Sequence, residues 1–388
     1  MSNTSKDDLH NLLIYFTKQG GSDLFITAGR EAVMKRDAEL VNITQDVISP
    51  AMAKEIAHAI MNSEQLTQFQ NSNECNFAYH IPGTARYRVN VFTQRGTPGL
   101  VIRAVHTDIP KFENLNLPPV LKELIMAKRG LILFVGGTGS GKSTSLASLV
   151  DIRNQESSGH IITIEDPIEF VHSHKKSIVT QREVGVDTES YEVALKNTLR
   201  QAPDVILIGE IRSEDTMNHA IAFAETGHLC LSTLHANNTN QALDRIMNFF
   251  PPVQRNHVLM DLSLNLRAII SQRLIPSLEG GRIAAIEVLI NTPRMQDLIF
   301  KGEIGAMKKL MEDSEDLKMQ TFDKALFDLY EAGKISYEEA LRNADSMNNL
   351  RIKIKLESSR PPPDPLDSAS GLDASETTFK VQDDFKQD

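Results

Sequence analysis

The stretch that decides the fold covers residues 131 to 143 and reads Leu131-Ile132-Leu133-Phe134-Val135-Gly136-Gly137-Thr138-Gly139-Ser140-Gly141-Lys142-Ser143. Its first five residues are apolar and predict a buried strand, and residues 145–150 continue into a helical pattern. The intervening spacing G-x-x-x-x-G-K-S is typical of a loop whose backbone N–H groups point at phosphate oxygens. The helix start behind the loop adds a partial positive charge. The stretch therefore predicts a nucleotide-binding strand, loop and helix.

Two side chains of this loop carry specific expectations. We expect Lys142 to reach the β- and γ-phosphates of a nucleotide, and the hydroxyl of Ser143 to ligate Mg²⁺. Thr144 follows in the first helical turn and completes the predicted binding segment, residues 136–144. The alternative is a glycine-rich turn that matches the spacing by chance, and the apolar strand in front of the loop argues against it.

Composition places the chain among soluble globular proteins, with 41% apolar and 24% charged residues. No run approaches the roughly 18 apolar residues of a membrane span, and residues 1–8 lack an apolar signal core. We therefore expect a cytoplasmic protein without membrane insertion. The formal net charge of −10 argues against a nucleic-acid partner. Cys75 and Cys230, the two cysteines, fit a reducing compartment and are expected to be buried small apolar residues.

Periodicity divides the chain into five parts. Residues 1–109 mix short helices and strands and predict a small α+β domain, and residues 110–119 form a proline-punctuated linker. Residues 120–292 alternate strand and helix, which is typical of a parallel sheet with crossover helices. Residues 293–357 are helical. Residues 358–388 contain Pro361-Pro362-Pro363, are acidic and poor in apolar residues, and predict a disordered tail.

The strands are predicted from short apolar runs bounded by turn residues. A helix is expected to start at Ser49-Pro50, because serine is a frequent N-cap and proline suits the first helical position. In the first part the predicted strands are Leu24–Ile26, Phe77–Ile81, Tyr87–Phe92 and Leu100–Val105, with a turn at Pro82-Gly83. In the parallel sheet they are Leu131–Val135, Ile161–Ile164, Val205–Ile208 and Leu229–Thr233, followed by a hairpin over Arg273–Ile290.

An acidic residue follows the apolar strand Val205–Ile208. Gly209 and Glu210 come directly after it, and a strand of this kind beside the phosphate-loop strand would place the Glu210 carboxylate near the γ-phosphate. We predict that Glu210 is the general base or the group that positions the attacking water, and the alternative is a solvated glutamate. Because Gly209 stands where aspartate is common, Mg²⁺ must be held through Ser143 and water, with another carboxylate as a candidate further ligand.

Three acidic residues, Glu165, Asp166 and Glu169, cluster around Pro167 at the end of a predicted strand. Alone, such a cluster predicts only a charged turn. Beside a nucleotide site it becomes a candidate second shell for Mg²⁺ and its waters. The predicted Mg²⁺ set is Ser143, Glu165 and Glu210.

Two histidines flank the strand that ends at Leu234. His235 follows its carboxyl end, where ligands bind in open α/β sheets, and is expected to sense the γ-phosphate or to support Glu210. A hydrogen-bonded structural histidine is the alternative. His228 lies at the opposite end of the strand, so the two histidines are not expected to share one metal ion.

Arginines are candidates for stabilising a phosphoryl-transfer transition state, from a neighbouring domain or subunit. A surface ion pair is the alternative for each, and spacing alone does not choose among them. The candidates are Arg88, Arg95 and Arg103 in the first domain, and Arg200, Arg212 and Arg245 around the parallel strands.

Four of these stretches together resemble the secretion-type ATPases, and most closely the PilT/PilU family of type IV pilus retraction ATPases. The resemblance covers about residue 5 to about residue 345. It implies a PAS-like N-terminal domain, a RecA-like ATPase domain, and a homo-hexameric ring that hydrolyses ATP with Mg²⁺. Gly136–Ser143 resembles the Walker A loop, Thr163–Phe170 the Asp box, Ile208–Arg212 an atypical Walker B motif, and Gly227–Ala236 the His box.

The resemblance also implies roles by position. Glu210 corresponds to the catalytic carboxylate and Glu165 to its partner. His228 and His235 correspond to the His-box residues, and His228 is expected to take part in nucleotide binding. Arg88, Arg95 and Arg103 correspond to the arginines of the family's N-terminal domain that approach the phosphates. Arg200 corresponds to a sensor-like arginine before the Walker B strand.

The sequence departs from the pattern of PilT at two places, and both departures resemble the PilU branch of the family. Thr292-Pro293 is followed by Arg294-Met295-Gln296-Asp297-Leu298-Ile299-Phe300-Lys301, not by the Ala-Ile-Arg-Asn-Leu-Ile-Arg-Glu motif of PilT, and the acidic tail extends past the usual end. They imply an accessory ATPase that works with a PilT-like motor. The two would pull on a pilus platform protein at the cytoplasmic face of the inner membrane.

Two alternatives remain open at the level of sequence. One is an ATP-binding adaptor ring with little catalysis of its own. The other is a type II secretion or pilus assembly ATPase, but these usually carry zinc-binding Cys-x-x-Cys pairs, which Cys75 and Cys230 cannot form.

Overall fold

A six-stranded sheet organises the first part of the computed structural model, which describes residues 3–36, 39–81, 85–105 and 108–360. Its strands are β1 (Asp23–Ile26), β2 (Val33–Arg36), β3 (Glu39–Asn42), β4 (Glu74–Ile81), β5 (Ala85–Gln94) and β6 (Thr97–Val105). Its helices are α1 (Asn3–Lys18), α2 (Pro50–Ile60) and α3 (Ser63–Ser72). The sheet is antiparallel, with the order β3-β2-β1-β6-β5-β4.

One apolar core holds this first part together. The side chains of β5 alternate between buried and half-buried, because one face of the sheet packs on that core.

The predicted helix start is confirmed: Ser49 caps α2 by accepting a hydrogen bond from Met52 N, with Pro50 at the first helical position. The four predicted strands are also confirmed. β2 and β3 were not predicted, since each has only four residues of mixed polarity, and the predicted turn at Pro82-Gly83 lies outside the described residues.

A seven-stranded sheet forms the second part of the molecule. Its strands are β7 (Gly130–Val135), β8 (Gly159–Glu165), β9 (Ser177–Glu183), β10 (Val205–Ile208), β11 (Leu229–Leu234), β12 (Leu266–Pro276) and β13 (Arg282–Ile290). Its helices are α4 (Val120–Ile125), α5 (Lys142–Glu156), α6 (Tyr191–Thr198), α7 (Glu214–Glu225), α8 (Thr239–Phe249) and α9 (Arg255–Asn265). β7, β10 and β11 are buried along their whole length, which explains their continuous apolar runs. The predicted parallel α/β architecture is therefore confirmed.

The order of the strands corrects one expectation. The sheet runs β13-β12-β7-β11-β10-β8-β9, and the pairs from β12 to β9 are parallel. β10, which leads to Glu210, is therefore not beside the phosphate-loop strand β7 as predicted, because β11 lies between them. Apolar runs identify buried strands, but they carry no information about which strand pairs with which.

The helices near the end of the described chain fall into two groups. They are α10 (Pro293–Lys301), α11 (Ile304–Glu312), α12 (Phe322–Glu331), α13 (Tyr337–Arg342) and α14 (Met347–Glu357). α10 and α11 pack on the core of the seven-stranded sheet, whereas α12 to α14 form a second compact unit with Ile275–Ala285. This grouping differs from the predicted helical subdomain over residues 293–357, because helical periodicity does not say which core a helix covers. The acidic tail predicted from residue 358 lies, from residue 361 onwards, outside the described residues.

Three further predictions concern the linker, the membrane and the cysteines. In the proline-punctuated segment 110–119, Phe112 and Leu117 are buried, so this connector is anchored by apolar contacts. Within the described ranges, no helix has the length and hydropathy needed to cross a bilayer. Cys75 is buried in the first core and Cys230 in the second, as expected, and both thiols are free.

Candidate nucleotide site

The phosphate loop connects β7 to α5, as the sequence predicts, and its glycines are required by close approaches. Gly136 has φ +156°, and a Cβ there would stand 2.4 Å from Ser140 Oγ. Gly141 is left-handed, with φ +86°, and a Cβ there would stand 2.7 Å from Gln272 Nε2. Only glycine adopts this backbone without strain and leaves this space. The loop therefore keeps a tight backbone turn at the start of α5.

Lys142 folds back onto the loop. Its Nζ donates hydrogen bonds to the carbonyl oxygens of Gly136 and Gly137, each over 2.8 Å. Burial lowers the pKa of Lys142, while the negative charges of Glu210 and Glu169 act in the opposite direction. The ammonium group is therefore a buried cation with acidic residues close enough to influence it, and it can exchange carbonyl oxygens for phosphate oxygens.

The residues present fit a bound nucleotide and its Mg²⁺. The hydroxyl of Ser140 is buried and has no hydrogen-bond partner among the described residues, which leaves a donor free for an added anion. Ser143 and Thr144 are half-buried in the first turn of α5. Among the described residues, no three His, Cys, Asp or Glu side chains converge to hold a metal ion. Ser143 is the loop side chain that could ligate a Mg²⁺ ion here, together with phosphate oxygens and water, and the inclusion of Glu165 and Glu210 among its ligands stays a prediction.

Glu210 follows β10 at the carboxyl edge of the sheet, the edge that also carries the phosphate loop. Its Oε1 lies 3.1 Å from His235 Nε2, and its Oε2 accepts a hydrogen bond from Arg212 Nε over 2.6 Å. Arg212 also lies 3.6 Å from Asp166. His235 follows the intervening strand β11, so the prediction that it supports Glu210 agrees with this geometry. The carboxylate is held at both oxygens.

The narrow space around residue 209 explains why glycine, and not the usual aspartate, precedes Glu210. A Cβ at Gly209 would stand 2.9 Å from the hydroxyl of Tyr191, 3.1 Å from Cα of Glu165 and 3.2 Å from the carbonyl of Ile164. The Gly209 N–H donates to that same carbonyl, and its own carbonyl accepts from Thr233 Oγ1. The segment that carries Glu210 is thus fixed by backbone hydrogen bonds, and a side chain at Gly209 would require its neighbours to shift.

Glu165 ends β8 and lies next to this segment. Its Oε1 accepts hydrogen bonds from Thr163 Oγ1 over 2.6 Å and from Gln181 Nε2 over 3.3 Å. Burial raises the pKa of Glu165 to about 7, against the opposing effect of these two hydrogen bonds. Its carboxyl group therefore changes protonation near neutral pH. Pairing of β8 with β10 brings Glu165 and Glu210 to the same edge of the sheet.

Arg88 and Arg103 lie together on the first domain, at a cleft of about 430 Å³ that Asp166 and Glu183 of the second also line. The two arginines are directly opposite each other in the β5–β6 ladder. Burial lowers the pKa of Arg88, Glu183 acts against this, and Arg103 adds to it. Arg103 also donates to Asp23 over 2.7 Å. The cleft thus combines two facing arginines with the carboxylates of Asp23, Asp166 and Glu183.

Three predicted residues lie elsewhere. His228 and Arg200 are at the amino-terminal edge of the sheet: His228 precedes β11, and Arg200 is exposed in a short 3₁₀ helix before β10. Because the phosphate loop is at the carboxyl edge, neither belongs to the site formed within this chain, which corrects the assignment of His228 to it. Arg95 is at the tip of the β5–β6 hairpin, in a left-handed conformation with φ +49°.

Sequence reasoning missed an ion pair between the two domains. Arg86 of β5 lies 3.2 Å from Glu183 of β9, and the Glu183 side chain is only 7% exposed. Glu183 also accepts a hydrogen bond from Ile168 N. Arg86 is on the same face of β5 as Arg88, and this period of two was a signal that both arginines lie on the side of the strand that meets the second domain.

A glycine-rich loop between a buried parallel strand and a helix, with a carboxylate at the same edge of the sheet, defines a P-loop nucleotide-binding protein. The family model described as "Type II/IV secretion system protein" matches residues 4–280. The Type IV pilus ATPase PilU of Pseudomonas aeruginosa is 56% identical over 350 residues, which cover 90% of this chain and 92% of that protein. The chain belongs to the PilT/PilU family of type IV pilus ATPases.

Two further comparisons agree with this family. The type IV pilus retraction ATPase PilT of Pseudomonas aeruginosa is 39% identical, over 88% of this chain and 100% of that protein. The crystal structure of the pilus retraction motor PilT with bound ADP has a TM-score of 0.83 at 38% identity, and covers 88% of this chain and 98% of that chain. The relatives are ATPases, and this chain is an ATPase by family membership.

Proposed function

We propose that this protein hydrolyses ATP in the presence of Mg²⁺, as one subunit of a homo-hexameric ring, and that hydrolysis powers the retraction of a type IV pilus. The observation that carries the proposal is the position of Glu210. Its carboxylate is held between His235 and Arg212 at the edge of the sheet where the phosphate loop begins. Such an acid beside a phosphate cradle is suited to orient water for attack on a phosphoryl group.

Each group of the chain has a role in this proposal. The loop N–H groups and Lys142 bind the phosphates, and Glu210 accepts a hydrogen bond from water and directs its oxygen. Mg²⁺ would neutralise developing charge on the phosphates, with Ser143 as its ligand from the loop. Arg88 and Arg103 add positive charge from the first domain. Glu165, whose pKa is about 7, would tune the charge beside Glu210.

The proposed role in pilus retraction is supported by the names of the relatives. PilT is named a retraction ATPase, and PilU is named a type IV pilus ATPase. We propose that this chain is accessory to a PilT-like motor, and that both act on an inner-membrane pilus platform protein at the cytoplasmic face. Movement of a PAS-like first domain against a RecA-like second domain would transmit the work. The Arg86–Glu183 ion pair is a contact that such a movement would have to break.

Steady-state phosphate release by the purified protein tests the enzymatic part. We expect Mg²⁺-dependent release, lost in Lys142→Ala and retained in the matched control Lys176→Ala, which changes an exposed lysine. ATP binding without release by the wild type would favour the adaptor ring and contradict the proposal. Native mass spectrometry with ATP tests the ring, for which six copies are expected.

Retraction itself needs a test in cells. Twitching motility of a strain that lacks this protein is expected to be restored by the wild type and not by Lys142→Ala. In a strain that contains a PilT-like motor, the loss of motility without this protein is expected to be largest when the load on the pilus is high. Normal motility with Lys142→Ala would contradict an ATP-driven role in retraction.

A further inference from the structure

Gln272 lies on β12, directly beside the phosphate loop. The β12–β7 register pairs Ser271 with Val135, so Gln272 comes next to the start of the loop. The residue is only 3% exposed. A buried carboxamide is costly unless its polar atoms have partners, so its contacts are informative.

These contacts reach both ends of the loop and the helix behind it. The side-chain Oε1 accepts a hydrogen bond from Ser145 Oγ, in the first turns of α5, over 2.8 Å. The Nε2 atom is 2.7 Å from the point where a Cβ on Gly141 would stand. The main-chain oxygen is 2.6 Å from the corresponding point on Gly136. One residue thus packs against the first and the last fixed glycine of the phosphate loop.

The strand that carries Gln272 is itself anchored. Ser271 Oγ donates to Oε1 of the buried Glu287 over 3.2 Å, and the same oxygen accepts from Thr239 N at the start of α8 over 2.7 Å. β12 is also paired in parallel with β7. Gln272 is therefore presented to the loop from a fixed support, which a positioning group requires.

We propose that Gln272 is a positioning residue that clamps the phosphate loop from behind. Its carboxamide fills the space left by Gly141 and ties α5 to β12 through Ser145, so that the loop N–H groups are already directed before a nucleotide arrives. The gain is a smaller ordering cost on binding. Gln272 acts through the loop and does not touch the phosphates. This inference rests on the proposed nucleotide site.

Binding of fluorescent ADP and of pyrophosphate to the full chain tests the clamp. Gln272→Met keeps the approximate volume and removes the hydrogen bond, and Ser145→Ala removes the same bond from the other side. Each is expected to weaken both ligands about five- to tenfold, the equivalent of one hydrogen bond. The double variant is expected to lose no more than the larger single loss, because both changes break one interaction. Gln320→Met, at a partly buried glutamine that bonds to Ile286 O, is the matched control.

The outcomes separate this inference from the proposed function. A wild type that binds neither ligand contradicts the nucleotide site itself. A wild type that binds, with Gln272→Met and Ser145→Ala binding equally well, overturns the clamp alone. An equal loss in Gln320→Met, or a loss for ADP without one for pyrophosphate, also overturns it, because the effect would then not arise at the phosphate grip. If Gln272→Met does not fold, Ser145→Ala decides the question.

Discussion

Arg212 donates a hydrogen bond from Nε to Oε2 of Glu210 over 2.6 Å, although only one residue separates them in the chain. The second oxygen of that carboxylate faces His235, so the acid is oriented from both sides. A carboxylate held in this way keeps its direction without depending on a bound substrate. The geometry is that of a preorganised group, and it makes the role proposed for Glu210 directly testable.

Replacing Glu210 with glutamine is expected to abolish most hydrolysis and to spare binding. The amide keeps the size of the side chain but cannot accept a proton, and general-base groups contribute about 100-fold or more to turnover. Steady-state phosphate release and ADP titration measure the two effects separately. The control is Glu312→Gln, at an exposed glutamate of α11. Turnover of Glu210→Gln within a factor of about two of wild type would remove the catalytic role.

The raised pKa of Glu165 predicts a specific dependence of stability on pH. The folded pKa is about 7, whereas an unfolded glutamate titrates near about 4.3. Between these values the folded state binds more protons than the unfolded state. The Glu165 contribution to the free energy of unfolding therefore falls as pH rises through this window, by at most about 4 kcal/mol, and is constant above it.

Glu165→Gln is expected to remove this component, because the amide does not titrate. Denaturant unfolding of both proteins at pH 5, 6, 7 and 8 gives the comparison, and the variant is expected to be the more stable of the two at pH 8. Glu312→Gln serves again as the control and should keep the wild-type slope. Parallel pH profiles for wild type and Glu165→Gln would show that the Glu165 carboxyl group does not have the raised pKa.

Gly209→Ala is expected to destabilise the protein by about 1–3 kcal/mol, because the new methyl group would overlap with the backbone of Glu165 and Ile164. Thermal unfolding measures the loss, and Gly209→Asp, which restores the usual aspartate, is expected to cost at least as much. The control is Gly305→Ala, since a Cβ at Gly305 meets nothing within 4 Å. A Gly209→Ala variant as stable as wild type would mean that this segment can move away from β8.

The ion pair between Arg86 and Glu183 is expected to hold the first domain on the second. Arg86→Met leaves the nearly buried Glu183 carboxylate without its partner, which should cost about 2 kcal/mol, between the values for exposed and buried pairs. We expect faster proteolysis of the segment 108–119 in this variant. The exchanged pair Arg86→Glu with Glu183→Arg should restore part of the protection. Equal cleavage rates in wild type and Arg86→Met would contradict a holding role.

Local sequence was sufficient for some features and not for others. The phosphate loop could be predicted because its shape follows from glycines and one lysine within eight residues, and β7, β10 and β11 because full burial demands apolar runs. The position of β11 between β7 and β10 could not be predicted, since strand order depends on pairing between distant segments.

The missed parts of the site are contacts between residues far apart in the chain. Arg86 and Glu183 are 97 residues apart, and Ser145 and Gln272 are 127 residues apart. No local pattern marks such pairs. The same holds for Tyr191 at the start of α6, whose hydroxyl limits the space at Gly209. Polar residues next to apolar runs in predicted strands, such as Gln272 after Ala268-Ile269-Ile270 in β12, are the remaining signal that a sequence offers.

Each of the two separate apolar cores contains one thiol. The two thiols can therefore report when each core opens transiently. Burial raises the pKa of the Cys75 thiol and that of the Cys230 thiol, so neither is reactive while its surroundings stay closed. A thiol-specific label would reach Cys75 only when the first core opens and Cys230 only when the second does. Mass spectrometry of the two labelled peptides would then time the opening of each half independently, with no engineered probe.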